Sequence, residues 1–347
     1  MQTAKSNKER NIFKRLMAAR AADSHVGIAL VLLLLIVVQT LVLGFDYGSF
    51  GQWFNAWFRN WINILRNNAG VGIVALGMTF VIITGGIDLA VGSTLVATGA
   101  VIMTLIDTGA NGVLGGLGIT GLPAYFIAIV IGLVMGYLLG KGIGLLITKG
   151  RIAPFIATLG AMKIFRSVTQ HFMQGYNPRV PRDFLKISNV QIGGLMFMPI
   201  VYWAIIAIVL HYISTRTTFG RQVIAVGSNE RAAQLSGVNV SRVKTRVYSL
   251  MGVLVAIAAI IQVSRIGSMD YANAGSGMEM DAIAAAVVGG TSMAGGRGTI
   301  LGTFMGMLII AVMNNLLNLF GVPPFLREAF KGLIVVLAVL LQRKQRE

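Results

Sequence analysis

Long apolar runs separated by short polar stretches make up most of this 347-residue chain. A helix that spans a bilayer needs about 20 predominantly apolar residues, with a range of roughly 17 to 25. Seven runs approach or reach that length, and they predict an all-α integral membrane protein. The runs are 26–43, 124–147, 152–172, 196–213, 247–263, 300–319 and 326–341.

Two further apolar regions are less regular. Stretch 71–106 is too long for one span and contains Gly-Gly-Ile-Asp at 85–88, which predicts two helices with a break between them. Stretch 281–288 is short and ends in a second Gly-Gly pair. Unwound backbone at membrane depth is tolerated where it packs inside protein or lines a water-filled cavity. We therefore predict that both breaks line a translocation path. The candidate residues are Gly85, Gly86, Asp88, Gly289, Gly290 and Ser292.

Each break also has a simpler explanation. The first is equally typical of a turn at the membrane edge, with Asp88 as the N-cap of a helix that starts at Leu89. Asp281 lies just before an apolar helix, where a carboxylate caps free N–H groups, so we predict a capping role for it.

Lys163 and Arg166 fall in the outer half of their helix, where they either snorkel outward or line an external vestibule.

Basic residues concentrate in the polar stretches, and this sets the predicted topology. Loops rich in Lys and Arg are typically cytoplasmic. An even number of crossings must then separate successive basic stretches, which requires segment 281–288 to cross. We predict about ten transmembrane helices with the N- and C-termini cytoplasmic. The basic groups are Lys5, Lys8, Arg10, Lys14, Arg15 and Arg20; Lys141, Lys149 and Arg151; Arg216, Arg221, Arg231, Arg242, Lys244 and Arg246; Arg343, Lys344 and Arg346.

The same topology predicts the domain organisation. A cytoplasmic N-terminal segment (1–25) precedes a single transmembrane domain (26–341), which carries a cytoplasmic loop at 214–246, and a cytoplasmic tail (342–347) follows. The first run is too long for the apolar region of a secretory signal, so we predict a retained anchor. Phenylalanines at 50, 54 and 58 and tryptophans at 53, 57 and 61 come next. Because aromatic side chains favour the interface, we expect this segment to lie along the outer membrane surface; a sugar-stacking site is the alternative.

Composition and charge narrow the function classes. The chain is 55% hydrophobic and 12% charged, against about 25% charged in soluble domains. A net charge of +17 would suit nucleic-acid binding, but its distribution among membrane loops predicts no nucleic-acid partner. There is no cysteine, and the three histidines are scattered, so we predict no metal site. The glycine-rich stretch 136–142 lacks the spacing of a phosphate-binding loop. No nucleophile and base can be paired, so we predict neither an enzyme nor a cofactor.

The polar loop before residue 247 contains a predicted short helix, Asn229 to Ser236. Asn229 is a good N-cap, the Ala232-Ala233 pair gives a small apolar face, and Gly237 stops the helix. A short helix with a small face on a cytoplasmic loop is suited to docking into a groove of another protein.

Three ordered blocks resemble those of a known family. The sequence Arg-Ala-Ala-x-x-x-Gly at 231–237 resembles the Glu-Ala-Ala-x-x-x-Gly coupling motif of ABC importer permeases. Stretch 84–93 is similar to Thr-Gly-Gly-Ile-Asp-Leu-Ser-Val-Gly-Ser of the ribose, xylose and galactose group, with Ala90 in place of its serine. Stretch 279–299 resembles that group's C-terminal signature, and the similar Asn314-Asn315 helix follows. The likeness runs from about Asn63 to the C-terminus.

This resemblance implies a type II ABC importer-like permease in the plasma (inner) membrane, which imports a monosaccharide (pentose or hexose) by alternating access. It implies a homodimer, a cytoplasmic ABC ATPase subunit that binds the ATP, and an external sugar-binding protein. The coupling residues would be Asn229, Glu230, Arg231, Ala232, Ala233 and Gly237. The path would add Asn314 and Asn315, and the binding protein would dock at Arg179, Arg182 and Asp183.

One departure and two rivals accompany the resemblance. Arg231 stands where the motif has Glu, so Glu230 would have to supply any ion pair with the ATPase. A permease for branched-chain amino acids is one alternative, because such subunits share a related architecture. A secondary transporter or channel that works without ATP is the other.

Overall fold

The computed structural model describes residues 24–45, 47–109 and 111–344 and is almost entirely helical. Residues 1–23 of the predicted N-terminal segment and 345–347 of the predicted tail lie outside the described residues. The helices are α1 (Ser24–Leu43), α2 (Phe50–Ile83), α3 (Val91–Ile106), α4 (Val113–Gly116), α5 (Leu122–Thr148), α6 (Pro154–Met173), α7 (Arg182–Asn189), α8 (Met198–Arg216), α9 (Thr218–Ser228), α10 (Glu230–Leu235), α11 (Val240–Ile266), α12 (Met278–Val288), α13 (Ile300–Leu319) and α14 (Pro324–Lys344).

A small hairpin lies between α7 and α8. Its strands, β1 (Gln191–Ile192) and β2 (Leu195–Met196), are antiparallel. Gln191 pairs with Met196 and Ile192 with Leu195. The hairpin closes the loop that leads into α8.

Six helices in the described residues are long and apolar enough to cross a bilayer: α1, α2, α5, α8, α11 and α13. Helix α3 is apolar but shorter, at 16 residues. The predicted break in stretch 71–106 is confirmed, because α2 ends at Ile83 and α3 begins at Val91. The chain is thus an all-α membrane protein, and the count of about ten crossings stays a prediction.

The centre of the bundle is formed by α11 and the second half of α2. Helix α5 packs against α11 through glycines, and a Cβ atom on Gly140 would lie 2.2 Å from the carbonyl oxygen of Tyr248. A Cβ atom on Gly136 would lie 2.4 Å from the carbonyl oxygen of Gly252. Small residues let membrane helices approach this closely. The glycine spacing in stretch 136–142 therefore serves helix packing.

The aromatic segment is not a separate surface helix, so that prediction was wrong. It forms the first third of α2, which continues for 34 residues because no proline interrupts it. The indole N–H of Trp53 donates to the Gly44 carbonyl, and that of Trp57 to the Thr40 hydroxyl, both at 3.0 Å. The tryptophans thus fasten α2 to the end of α1, while the phenylalanine side, led by Phe50, is exposed.

Candidate coupling surface and transport path

The two Gly-Gly breaks, 204 residues apart in sequence, meet at one end of the bundle. The amide of Gly296, in the second break, donates a 2.9 Å hydrogen bond to the carbonyl oxygen of Ile83, the last residue of α2. A Cβ atom on Gly295 would lie 3.0 Å from the same oxygen. The fold therefore brings together the break between α2 and α3 and the break between α12 and α13.

Helix α9 packs directly onto this junction, and the sequence analysis did not identify it. A Cβ atom on Gly227 would lie 1.7 Å from the Ile83 carbonyl oxygen and 2.7 Å from the Gly296 amide nitrogen. The missed signal is the helical spacing of three residues that the bundle covers: Phe219, Val223 and Val226. Loop 214–246 thus reaches both breaks through backbone contact at Gly227.

The predicted short helix is confirmed as α10, which follows α9 directly. The side-chain oxygen of Asn229 accepts a 2.9 Å hydrogen bond from the Ala232 amide, as an N-cap does. At the other end, the Val238 amide donates to the Ala233 carbonyl, and Gly237 has a φ of +83°. This left-handed glycine ends the helix in the manner expected from its sequence.

The surface that α10 presents is small and partly charged. Leu235 is 82% exposed, Arg231 and Ala232 are exposed, and Ala233 is buried. The Glu230 carboxylate lies 2.6 Å from the Lys244 ammonium at the start of α11. Arg231 makes no hydrogen bond or ion pair with any residue that the structure describes. Glu230 is thus engaged within its own chain, although its side chain is 57% exposed.

The first break is organised by Asp88. This side chain is buried, and its carboxylate accepts a 2.9 Å hydrogen bond from the Ala90 amide. The following helix begins at Val91, so Asp88 shapes the turn before the helix and is not its N-cap. Gly86 packs against the hydroxyl of Tyr248, whereas Gly85 is exposed and has a φ of +78°.

Deeper in the bundle, loop 267–277 reaches the start of α3. A Cβ atom on Gly92 would lie 2.1 Å from the Gly275 carbonyl oxygen and 3.3 Å from a Glu279 carboxylate oxygen. The Arg166 guanidinium of α6 donates to the carbonyl oxygens of Ala274, at 2.6 Å, and Tyr271, at 3.3 Å. Arg166 thus holds the loop in place, while Lys163, one turn earlier, is exposed.

Asp281 is not a helix cap, so that prediction was wrong. The N-cap of α12 is Gly277, and no side chain caps this helix. Asp281 lies one turn inside the helix, where its carboxylate is 2.9 Å from the ammonium of Lys331 in α14. Both side chains are largely buried. Because a buried charge needs a partner, the pair joins these two helices.

Asn314 and Asn315 do not lie with the Gly-Gly breaks. The Asn315 amide donates a 3.4 Å hydrogen bond to Asn60 in the first part of α2. Asn60 precedes Ile83 by 23 residues, which is about 35 Å along a helix. The predicted path residues therefore fall at two separate levels of the bundle.

Three residues were predicted to dock the external binding protein, and they lie at the end of the bundle opposite α10. Two of them contact other residues of the chain: Arg179 through a backbone hydrogen bond and Asp183 through an ion pair. The Asp107 carboxylate accepts hydrogen bonds from the Arg179 amide and the Tyr176 hydroxyl, both at 2.7 Å, and from the Gly109 amide at 2.9 Å. Burial raises the pKa of Asp107, but these donors together hold the pKa below its usual value. Arg182 is exposed, and Asp183 forms an exposed ion pair with Lys186 at 2.7 Å.

We expect Asp107→Asn to destabilise this loop by about 1–2 kcal/mol, because the carboxylate loses charge-assisted hydrogen bonds. Since the folded-state pKa is depressed, the stabilisation is complete above the unfolded value of 3.8 and disappears as the pH falls through the folded value. Thermal unfolding in detergent at neutral and acidic pH measures the difference. The matched control, Asp183→Asn, should change stability by no more than about 0.5 kcal/mol. Equal effects of the two variants would contradict this role of Asp107.

Comparison with known proteins agrees with this architecture. Residues 60–339 match the protein family described as "Branched-chain amino acid transport system / permease component". The ribose import permease protein of Bacillus subtilis is 43% identical over 295 residues, which cover 82% of this chain and 85% of the relative. The ribose import permease protein of Escherichia coli K12 is 39% identical, with 83% and 87% covered. The xylose transport system permease protein of the same strain is 32% identical, with 89% and 90% covered.

No solved structure shows a significant match to the chain. The family match nevertheless covers most of the chain, including both breaks, α9 and α10. The chain therefore belongs to the family of membrane permease components typified by the branched-chain amino acid transport system.

Proposed function

We propose that this chain is the membrane-spanning permease subunit of an ATP-driven importer of monosaccharides, pentoses or hexoses. Relatives that are named as ribose and xylose permeases support the substrate class. One structural observation carries the mechanism: Gly227 joins the cytoplasmic helix pair α9–α10 to both breaks at Ile83 and Gly296. A displacement of this helix pair is therefore passed to two broken membrane helices at once.

The proposed partners follow from this role. A cytoplasmic ABC ATPase subunit binds ATP and docks on α10, through Asn229, Glu230, Arg231, Ala232, Ala233 and Gly237. An external sugar-binding protein docks near Arg179, Arg182 and Asp183. Two copies of the chain form a homodimer in the inner membrane, and each copy crosses about ten times with both termini cytoplasmic. Exposed Leu235 supports the docking role, because a large apolar side chain at a helix end is suited to a partner's groove.

The two breaks are the proposed moving parts of the path. Gly85 and Gly290 are both exposed and have φ values of +78° and +87°, which favour glycine. Gly86, Asp88, Gly289 and Ser292 are buried around them. When the ATPase subunits close, α9 and α10 shift the junction at Ile83, and the path opens alternately to either side. Asn314 and Asn315 contribute at the other level of the bundle.

We expect Gly237→Leu to abolish uptake while membrane insertion stays normal. Gly237 has a φ of +83°, and no atom lies within 4 Å of a Cβ atom added there. A leucine at this position therefore projects from the end of α10 toward the groove of the ATPase subunit in which α10 is proposed to dock. The backbone strain is about 1–2 kcal/mol, which the fold can absorb. The matched control is Gly118→Leu in an outer loop, with a φ of +74° and open space. Normal sugar uptake by the Gly237 variant would refute the coupling role.

Branched-chain amino acids are a second candidate substrate, because the description of the matched family names them. Uptake of labelled pentose, hexose and leucine, measured with the cognate ATPase and binding protein, separates the two. We expect a sugar to be imported and leucine not. Import of leucine alone would replace the proposed cargo, and import that continues without the ATPase subunit would indicate a secondary transporter.

A further inference from the structure

Three arginines lie near the end of the bundle opposite α10. Arg59 and Arg66 are seven residues apart in α2, so two helical turns place them on the same side of that helix. Arg265 is in the last turn of α11, and its guanidinium donates a 2.8 Å hydrogen bond to the side chain of Asn67, the residue after Arg66. We call Arg59, Arg66 and Arg265 the arginine cluster.

The arginine cluster has no acidic counterpart. None of its guanidinium groups forms an ion pair with a carboxylate in the part of the chain that the structure describes. The acidic side chain of α7, which packs against α11, is Asp183, and it is already paired with Lys186. Because like charges repel when no opposite charge lies between them, the cluster favours the binding of an anion.

Two members of the cluster are partly withdrawn from water. Arg66 and Arg265 are both half-buried, and the positive charge of Arg66 acts on Arg265. The Nη1 atom of Arg66 donates to the sulfur of Met196 at 3.3 Å, and sulfur is a weak acceptor. The Nε atom of Arg66 is buried and has no hydrogen-bond partner among the described residues. A buried donor on a charged group is costly without an acceptor, so an anionic acceptor would stabilise this pair.

The arginine cluster lies at the depth expected for lipid headgroups. Helix α2 ends at Ile83, where α9 packs onto it. Arg66 precedes Ile83 by 17 residues and Arg59 by 24, which correspond to about 26 Å and 36 Å along a helix. The hydrocarbon core of a bilayer is about 30 Å thick, so the two arginines lie on either side of its far boundary. Lipid phosphate groups lie just beyond that boundary.

The β1–β2 hairpin lies along the same side of α2. Met196 in β2 contacts Arg66, and a Cβ atom on Gly194 at the tip would lie 3.9 Å from a terminal nitrogen of Arg59. Ile192, also in the hairpin, is 59% exposed. Basic groups beside an exposed apolar side chain at the membrane interface are typical of surfaces that bind anionic lipids.

We propose that the arginine cluster binds the phosphate group of an anionic phospholipid in the outer leaflet. Arg66 and Arg265 donate to the phosphate oxygens, because a guanidinium presents several N–H groups in a plane that matches them. Arg59 attracts the headgroup from the outer edge of the site. The leaflet rests on the topology given under the proposed function, whereas the phosphate site does not.

A docked protein fits this site less well than a lipid does. A carboxylate of an external protein approaches from the aqueous side, where it meets Arg59 and the hairpin tip first. Arg66 and Arg265 are half-buried and lie deeper, at the level that a lipid phosphate occupies. The lipid therefore accounts for the two arginines that most need an anion.

Native mass spectrometry of the purified full chain in detergent, titrated with phosphatidylglycerol, tests the proposal. We expect Arg66→Gln and Arg265→Gln each to weaken binding of the tightest lipid by about 5-fold, and the double variant by about 25-fold, which is the typical contribution of basic residues near anionic lipid. The matched control is Arg182→Gln, which removes an exposed arginine from the same end of the bundle. It should bind the lipid within about twofold of the original chain, because solvent and salt screen an exposed charge.

A conservative variant and a change of lipid separate charge from folding. Arg66→Lys with Arg265→Lys keeps both charges and should still prefer phosphatidylglycerol to phosphatidylcholine; loss of that preference would overturn the proposal. Removal of one of two repelling charges should not lower the unfolding temperature in phosphatidylcholine, and this measurement verifies that the glutamine variants fold.

Three further results would count against the lipid. Equal affinity of the double glutamine variant and the original chain would show that the cluster is not the site. Displacement of the lipid by an equal concentration of inorganic phosphate would assign the site to a free anion. A double glutamine variant that keeps its lipid but loses affinity for the external binding protein would assign the cluster to that protein. Because lipid binding is measured without ATP or sugar, each of these outcomes leaves the proposed transport function to its own tests.

Discussion

Replacing Gly227 with alanine is expected to abolish transport and to destabilise the loop that carries α9 and α10. The added methyl group would lie 1.7 Å from the Ile83 carbonyl oxygen and 2.7 Å from the Gly296 amide nitrogen. Both neighbours are backbone atoms, which cannot move aside as a flexible side chain can. Overpacking typically costs about 1–3 kcal/mol, and here the upper end applies. Helix α9 must shift, and the hydrogen bond between Gly296 and Ile83 is disturbed with it.

Uptake of labelled pentose and thermal unfolding of the purified importer measure these two effects. The matched control is Gly142→Ala, which lies in α5 with no atom within 4 Å of the new Cβ atom. This control should transport normally. Its free energy of unfolding should rise by up to about 1 kcal/mol, because alanine has a higher helix propensity than glycine. If Gly227→Ala transports within twofold of the original chain, the contact at Gly227 does not couple α9 to the breaks.

Features that depend on neighbouring residues in sequence could be predicted. Asn229 caps α10 through an amide three residues away, and Gly237 ends it through its own left-handed conformation. The break between α2 and α3 follows from the Gly-Gly pair at 85–86 in the same way. Each of these features needs only local rules of capping and glycine geometry.

Features that depend on distant contacts could not be predicted. The contact of Gly227 with Ile83 and Gly296 joins residues 144 and 69 positions apart, and nothing in the local sequence identifies it. The aromatic segment was misplaced because its amphipathic pattern is the same whether it lies on lipid or packs through Trp53 and Trp57 against α1.

Asp281 shows why a local rule can mislead. A carboxylate near the start of a helix is usually stabilised by the free N–H groups and the helix dipole. In this fold, however, Lys331 approaches from α14, 50 residues away, and neutralises the carboxylate directly. The partner of a buried charge is decided by helix packing, so only the structure identifies it.

Replacing Lys331 with methionine is expected to destabilise the protein by about 3–5 kcal/mol, because it leaves the Asp281 carboxylate buried without a partner. The two side chains are only 15% and 17% exposed and lie 2.9 Å apart. Thermal unfolding of the purified chain in detergent measures the loss. The control is Glu328→Gln, which removes the second carboxylate on the same ammonium. Glu328 is 61% exposed, so its loss should cost at most about 1 kcal/mol.

A double variant separates the burial of an unpaired charge from the loss of packing. In Asp281→Leu with Lys331→Met, both charges are absent and the volume between α12 and α14 is approximately kept. Apolar replacement of a buried ion pair is often neutral or stabilising, so the double variant should recover most of the stability that Lys331→Met loses. If the double variant is as unstable as the single one, packing of the Lys331 side chain, and not its charge, holds α14 against α12.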